Sequence, residues 1–129
     1  MTATFRAMRI LDTRGEEEDR MKRYGRMIGL KPEVIAEYKR IHAGVWPDVL
    51  AQIARSNIRN YTIFLREPEN LLFAYYEYHG TDHDGDMARM AEDKRTQEWW
   101  EVCMPMQSPL ATKTADEWWA GMEEVFHVD

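Results

Sequence analysis

Two runs of sheet-forming residues, Ile58–Leu65 and Leu71–Tyr78, are separated only by Arg66–Asn70. A gap that short, with Pro68 and Asn70 supplying turn chemistry, makes a hairpin. The first run, IRNYTIFL, is rich in β-branched and aromatic residues. Simple alternation along it places Ile58, Asn60, Thr62 and Phe64 on one face and Arg59, Tyr61, Ile63 and Leu65 on the other. The second run, LLFAYYEY, is almost wholly apolar or aromatic. It reads as a central strand covered on both faces. A chain holding such a hairpin must build a sheet, and its other segments must cover that sheet.

Helical spacing supplies the cover. Val34, Ile35, Tyr38, Ile41 and Val45 recur at intervals of three and four, the stripe of an amphipathic helix. Pro32 suits its first turn, and Gly44 is expected to end it at a left-handed residue. Tyr38 and His42 fall four apart on the inward side, so a phenol and an imidazole stack where Leu or Ile is usual. Imidazole is the side chain whose unperturbed titration lies near neutral pH. Pro47 opens a second helix, carried by Val49, Leu50 and Ile53 to about Arg55.

Tyr24–Leu30 is predicted as a first strand, with Gly25 and Gly29 marking close backbone approaches. His79–Asp86 reads as a polar loop. Met87, Met90 and Ala91 begin a helix, and Gln97, Trp99, Trp100, Cys103 and Met104 continue it or form a second one. Met106–Lys113 is irregular, and Glu124–Val128 is expected as a last strand. The order β-α-β-β-α-β is the ferredoxin-like α+β plan, an antiparallel sheet with helices on one face. Such a plan leaves the other face bare, and burying it calls for a homodimer.

The remaining bulk properties exclude more than they assign. The chain has 129 residues, enough for one domain with one core. Residues 1–22, including the charge run Arg14–Arg20, read as a flexible extension, and residues 23–129 as the domain. A net charge of −6 argues against a nucleic-acid backbone or an anionic membrane surface as partner. No apolar run is long enough to span a bilayer. The single cysteine, Cys103, cannot form an internal disulfide and reads as a small buried hydrophobe, so a reducing cytoplasm is the natural home. Asp82–Asp86 superficially resembles a calcium loop, but Met87 stands where the glycine belongs; acidic helix capping explains it with less.

Five stretches together carry a resemblance: YKRIHAGVWP from Tyr38 to Pro47, NYTIFL from Asn60 to Leu65, NLLFA from Asn70 to Ala74, Trp99-Trp100, and Glu124-Val125-Phe126. They are similar, in order and separation, to the L-rhamnose mutarotase family, and the likeness spans roughly residues 23 to 129. It implies a dimeric α/β barrel of ferredoxin-like subunits. It also implies a cofactor-free enzyme that interconverts the α and β anomers of L-rhamnose or a related 6-deoxyhexose. By position His42 matches the family's proton donor, and Tyr38, Tyr61, Trp99 and Trp100 its substrate-binding residues.

The chemistry suits those residue types. Opening a pyranose takes a proton from the anomeric hydroxyl and gives one to the ring oxygen, which is acid–base work for histidine near neutral pH. Phenols both donate and accept, and an indole covers the apolar flank of a deoxysugar. Trp99 and Trp100 are adjacent on a helix and point about 100° apart, so one is expected to face the sugar and the other to pack. Trp118 and Trp119 are expected to serve packing or the subunit contact. The rival readings are a monooxygenase or lactone isomerase of the same barrel plan, and a non-catalytic deoxysugar-binding module. The extension, the middle loop and the segment after Trp100 depart from the family pattern and leave the exact sugar open.

Overall fold

The computed structural model describes residues 21–129. The extension expected over residues 1–22 therefore lies outside the described residues up to residue 20, and Lys22 already opens the first strand. The elements run β1 (Lys22–Leu30), α1 (Ile35–His42), α2 (Pro47–Arg55), β2 (Ile58–Arg66), β3 (Leu71–Tyr78), α3 (His83–Glu92), α4 (Lys94–Cys103), β4 (Gln107–Ser108) and β5 (Ala120–Met122). The sheet order is β2-β3-β1-β4, every pairing is antiparallel, and β5 also pairs with β1. This is the ferredoxin-like order, with the last strand split into two short pieces on the outer edge of β1.

The helices lie on one face. Ile28 and Leu30 from β1, and Leu72 from β3, pack with Tyr38, Val49, Trp99 and Cys103. A second cluster joins Ile58, Tyr76 and Tyr78 to Met90. Burying each such side chain contributes roughly 1.5–3 kcal/mol, which is what holds helices to sheet. Along β3 burial alternates strictly, with Leu72, Ala74, Tyr76 and Tyr78 buried and Leu71, Phe73, Tyr75 and Glu77 only half-buried. The strand is central, but within this chain only one of its faces is covered.

Several boundaries differ from the sequence reading for identifiable reasons. The loop after β3 is shorter than expected because α3 starts at His83. Asp82 caps it, accepting the Gly85 amide at 3.1 Å, which is the capping role read for this acidic run. Asp93, in extended backbone, ends α3 and caps α4 by accepting Thr96 N–H at 3.0 Å, so there are two helices. Gly44 does not end α1 in a left-handed conformation, since no described glycine has positive φ. The last strand is Ala120–Met122 rather than Glu124–Val128; Val125, Phe126 and Val128 are 88, 80 and 71% exposed and make no ladder.

Candidate active site

A bulge brings Ile58 onto the same sheet face as Tyr61. Arg59 pairs with Glu77 and Thr62 with Tyr75, so Asn60 and Tyr61 together oppose Tyr76. Asn60 absorbs the extra residue at φ 53°, a left-handed conformation that Asn tolerates, and its side chain donates to Glu77 at 2.8 Å. Ile58 and Tyr61 thereby share the helix-covered face with Ile63 and Leu65. Alternation placed Ile58 on the opposite face because it had no means of seeing the bulge.

On α1, Tyr38 is buried and His42 half-buried, their rings stacked with centroids 4.0 Å apart. His42 Nδ1 lies 2.8 Å from the Tyr38 carbonyl oxygen. A carbonyl only accepts, so Nδ1 carries the hydrogen and Nε2 the lone pair. Burial pushes the imidazole pKa down, opposed in part by that backbone bond. The ring is therefore neutral near pH 7, with a basic nitrogen available. Among the described residues no hydrogen bond is made to that nitrogen.

Indoles wall the imidazole. Trp99 and His42 meet edge to face with ring centroids 5.3 Å apart, and Trp46 and Trp99 likewise at 5.1 Å. Arg95 lies over Trp46 at 3.9 Å from the ring centroid and closes this stack from outside. Trp99 is buried; Trp100 is half-buried and packs against both clusters, which answers which of the pair adjoins His42.

The phenols stay protonated. Burial, offset in part by a hydrogen bond from Gln107, pushes Tyr38 well above the ordinary phenol range, and the Tyr61 phenol adds to that push. Tyr61 exposes 42% of its surface, yet crowding around its hydroxyl pushes its pKa to about 12. Its ring lies 5.7 Å from that of Tyr76, whose hydroxyl is 2.9 Å from His83 Nε2. The Cys103 thiol, buried and pushed up to about 11, is a packed hydrophobe and no nucleophile. A cleft of about 610 Å³ opens beside the aromatic floor, lined by Tyr24, Arg26, Thr112, Thr114 and Glu117; His42 does not line it.

The structure thus gathers Tyr38, His42 and Trp99 directly, packs Trp100 beside them, and turns Tyr61 toward the same sheet face. Two residues escaped the sequence reading. Gln107, a lone polar residue in a stretch read as irregular, gave no signal. Trp118, expected to serve packing or the subunit contact, donates its indole N–H to Gln107 at 2.7 Å, and Gln107 donates to Tyr38 at 3.0 Å. Trp119 does pack against the core.

A ferredoxin-like antiparallel sheet with helices on one face, carrying an imidazole stacked on a phenol and edged by indoles, defines an α+β protein of the ferredoxin-like class. The family model for L-rhamnose mutarotase matches residues 23–128, and the chain belongs to that family. It is accordingly a sugar mutarotase, an isomerase. It is 31% identical over 115 residues to an L-rhamnose mutarotase of Oceanobacillus iheyensis, covering 84% of this chain and all of that one. A Bacteroides thetaiotaomicron L-rhamnose mutarotase is 29% identical over the same shares. The crystal structure of an L-rhamnose mutarotase from Formosa agariphila superposes with a TM-score of 0.63 at 22% identity, over 84% of this chain and 99% of that one, a likeness of fold.

Proposed function

We propose that the substrate is L-rhamnose or a closely related 6-deoxyhexose and that His42 carries the proton. The observation that supports this reading is the locked tautomer of a neutral imidazole beside an indole wall. Nε2 takes the anomeric hydroxyl proton as the bond from C1 to the ring oxygen breaks. The ring oxygen gains a proton, C1 becomes an aldehyde, and the C1–C2 bond turns. Closure on the other face reverses each transfer. The two oxygens share one carbon, so one imidazole can serve both. Tyr38 and Tyr61 hold sugar hydroxyls, while Trp99, the indole beside His42, covers the flank bearing the methyl group and Trp100 packs behind it. The residues so assigned need no metal or cofactor for this chemistry.

The working unit in this reading is a homodimer in the cytoplasm, joined through the half-buried sheet face and the exposed tail. The free, buried Cys103 supports the reducing compartment. No described helix is long and apolar enough to cross a membrane.

Saturation-transfer NMR on equilibrated L-rhamnose tests the assignment. Added enzyme should speed anomer exchange, and His42→Ala should lower the catalysed rate by about 10²- to 10⁴-fold. Undiminished exchange by the variant would remove His42 from the reaction. Binding of L-rhamnose without faster exchange would leave only a sugar-binding module.

A further inference from the structure

Gln107 is 6% exposed on β4, opposite Leu30 of β1 and facing the helices. Its two amide ends meet groups of different kinds. Trp118 Nε1 lies 2.7 Å from one end, and an indole N–H can only donate. That end must therefore be Oε1. The NH₂ is left facing the Tyr38 hydroxyl at 3.0 Å, where it donates. The amide's orientation thus follows from its partners and is not a free choice.

A phenol oxygen has one proton and two lone pairs. At Tyr38 one lone pair is engaged by Gln107, and among the described residues its hydroxyl donates to none. We propose that Gln107, held by Trp118, is a positioning residue for the mutarotase reaction. It makes the Tyr38 hydroxyl an acceptor on its protein side and so reserves the phenol proton for a sugar oxygen. The inference rests on the sugar site proposed above and deepens it, because it gives Tyr38 a fixed polarity. The buried phenol keeps its proton throughout the working pH range, as the upward push on its pKa requires.

Reversing the polarity is the test. Gln107→Glu keeps the shape and an acceptor for Trp118, but its carboxylate forces Tyr38 to donate inward. With L-rhamnose as substrate, kcat/KM for anomer exchange should fall about 10- to 100-fold. In a Tyr38→Phe background the same substitution should cost less than about twofold, because its effect passes through the phenol. The deficit should also shrink as pH falls from about 8 to about 5, as the buried carboxyl regains a donor proton. Trp118→Phe, which frees the amide to flip, should lower kcat/KM several-fold, again only when Tyr38 is present. Thermal melts on each variant separate loss of fold from loss of polarity.

Additive losses in the double variants, or a deficit flat with pH, would overturn the assignment to Gln107 while leaving the mutarotase site standing. A wild-type enzyme that fails to speed L-rhamnose exchange would overturn both.

Discussion

His42 Nδ1 sits 2.8 Å from the carbonyl oxygen of Tyr38, one helical turn earlier in the chain. One bond therefore orients the ring and chooses its tautomer. It also partly offsets the desolvation that lowers the imidazole pKa.

That depression has a sign in the rate profile. The basic form of His42 persists to lower pH than an ordinary imidazole, so kcat/KM should hold constant through neutrality. It should fall only as pH drops below about 6.5, with the acid limb centred under that value. The same shift makes folding stability insensitive to His42 above about pH 6.5 and erodes it below, because the unfolded chain takes up the proton more readily. An acid limb centred above the ordinary histidine value, and lost in His42→Ala, would contradict the assigned electrostatics.

Asn60 should be replaceable by Gly but not by a β-branched residue. At φ 53° a valine carries a backbone penalty of about 1–2 kcal/mol, whereas glycine is at ease there and loses only the exposed bond to Glu77. Denaturant melts should rank wild type, Asn60→Gly, Asn60→Val in falling stability. Strain at the bulge in Asn60→Val would also disturb its neighbour Tyr61, so its KM for L-rhamnose should rise. Equal melts and equal KM for the two variants would show that the bulge does not govern Tyr61.

Asp86 ties β3 to α3. Its carboxylate accepts from the Tyr78 hydroxyl, from Asn57 at 3.0 Å and from Arg89 at 2.6 Å, and these bonds, Tyr78 first, pull its pKa down to about 2. The stabilisation is whole above about pH 3.8 and is lost as pH falls from there toward about 2. Asp86→Asn should lower stability at neutral pH and flatten the loss in that acid window. Acid unfolding that follows the wild-type curve would dismiss the network as a stabilising element.

Phe64 on the bare sheet face is 62% exposed, Met122 is 42% exposed, and the tail adds Phe126 at 80%. A monomer rarely leaves so much apolar area open. Sedimentation equilibrium should return twice the chain mass for wild type and a concentration-dependent shift toward monomer for Phe64→Glu. A wild-type monomer at micromolar concentration would refute the homodimer.

Much of the fold was legible because it rests on local periodicity. The hairpin, the stripe from Val34 to Val45 and the acid-capped start of α3 are set by residues near one another in the chain. The pairing of Tyr38 with His42 belongs to the same class, since four residues along a helix brings side chains together whatever surrounds them. The expected strand at Glu124–Val128 failed because its apolar residues find no partner within one chain, and apolar pattern alone does not say where the partner lies.

The sequence by itself determined the sheet, the helical face and the imidazole–phenol pair, since each depends on spacing within one element. Tertiary structure decided the rest. The bulge that brings Ile58 onto the face of Tyr61 needs β3 as its template, and Gln107 acquires a role only when segments 69 residues apart meet at Tyr38. Hydrogen-bond polarity depends on which partner stands at each end of a group, and no periodicity encodes that.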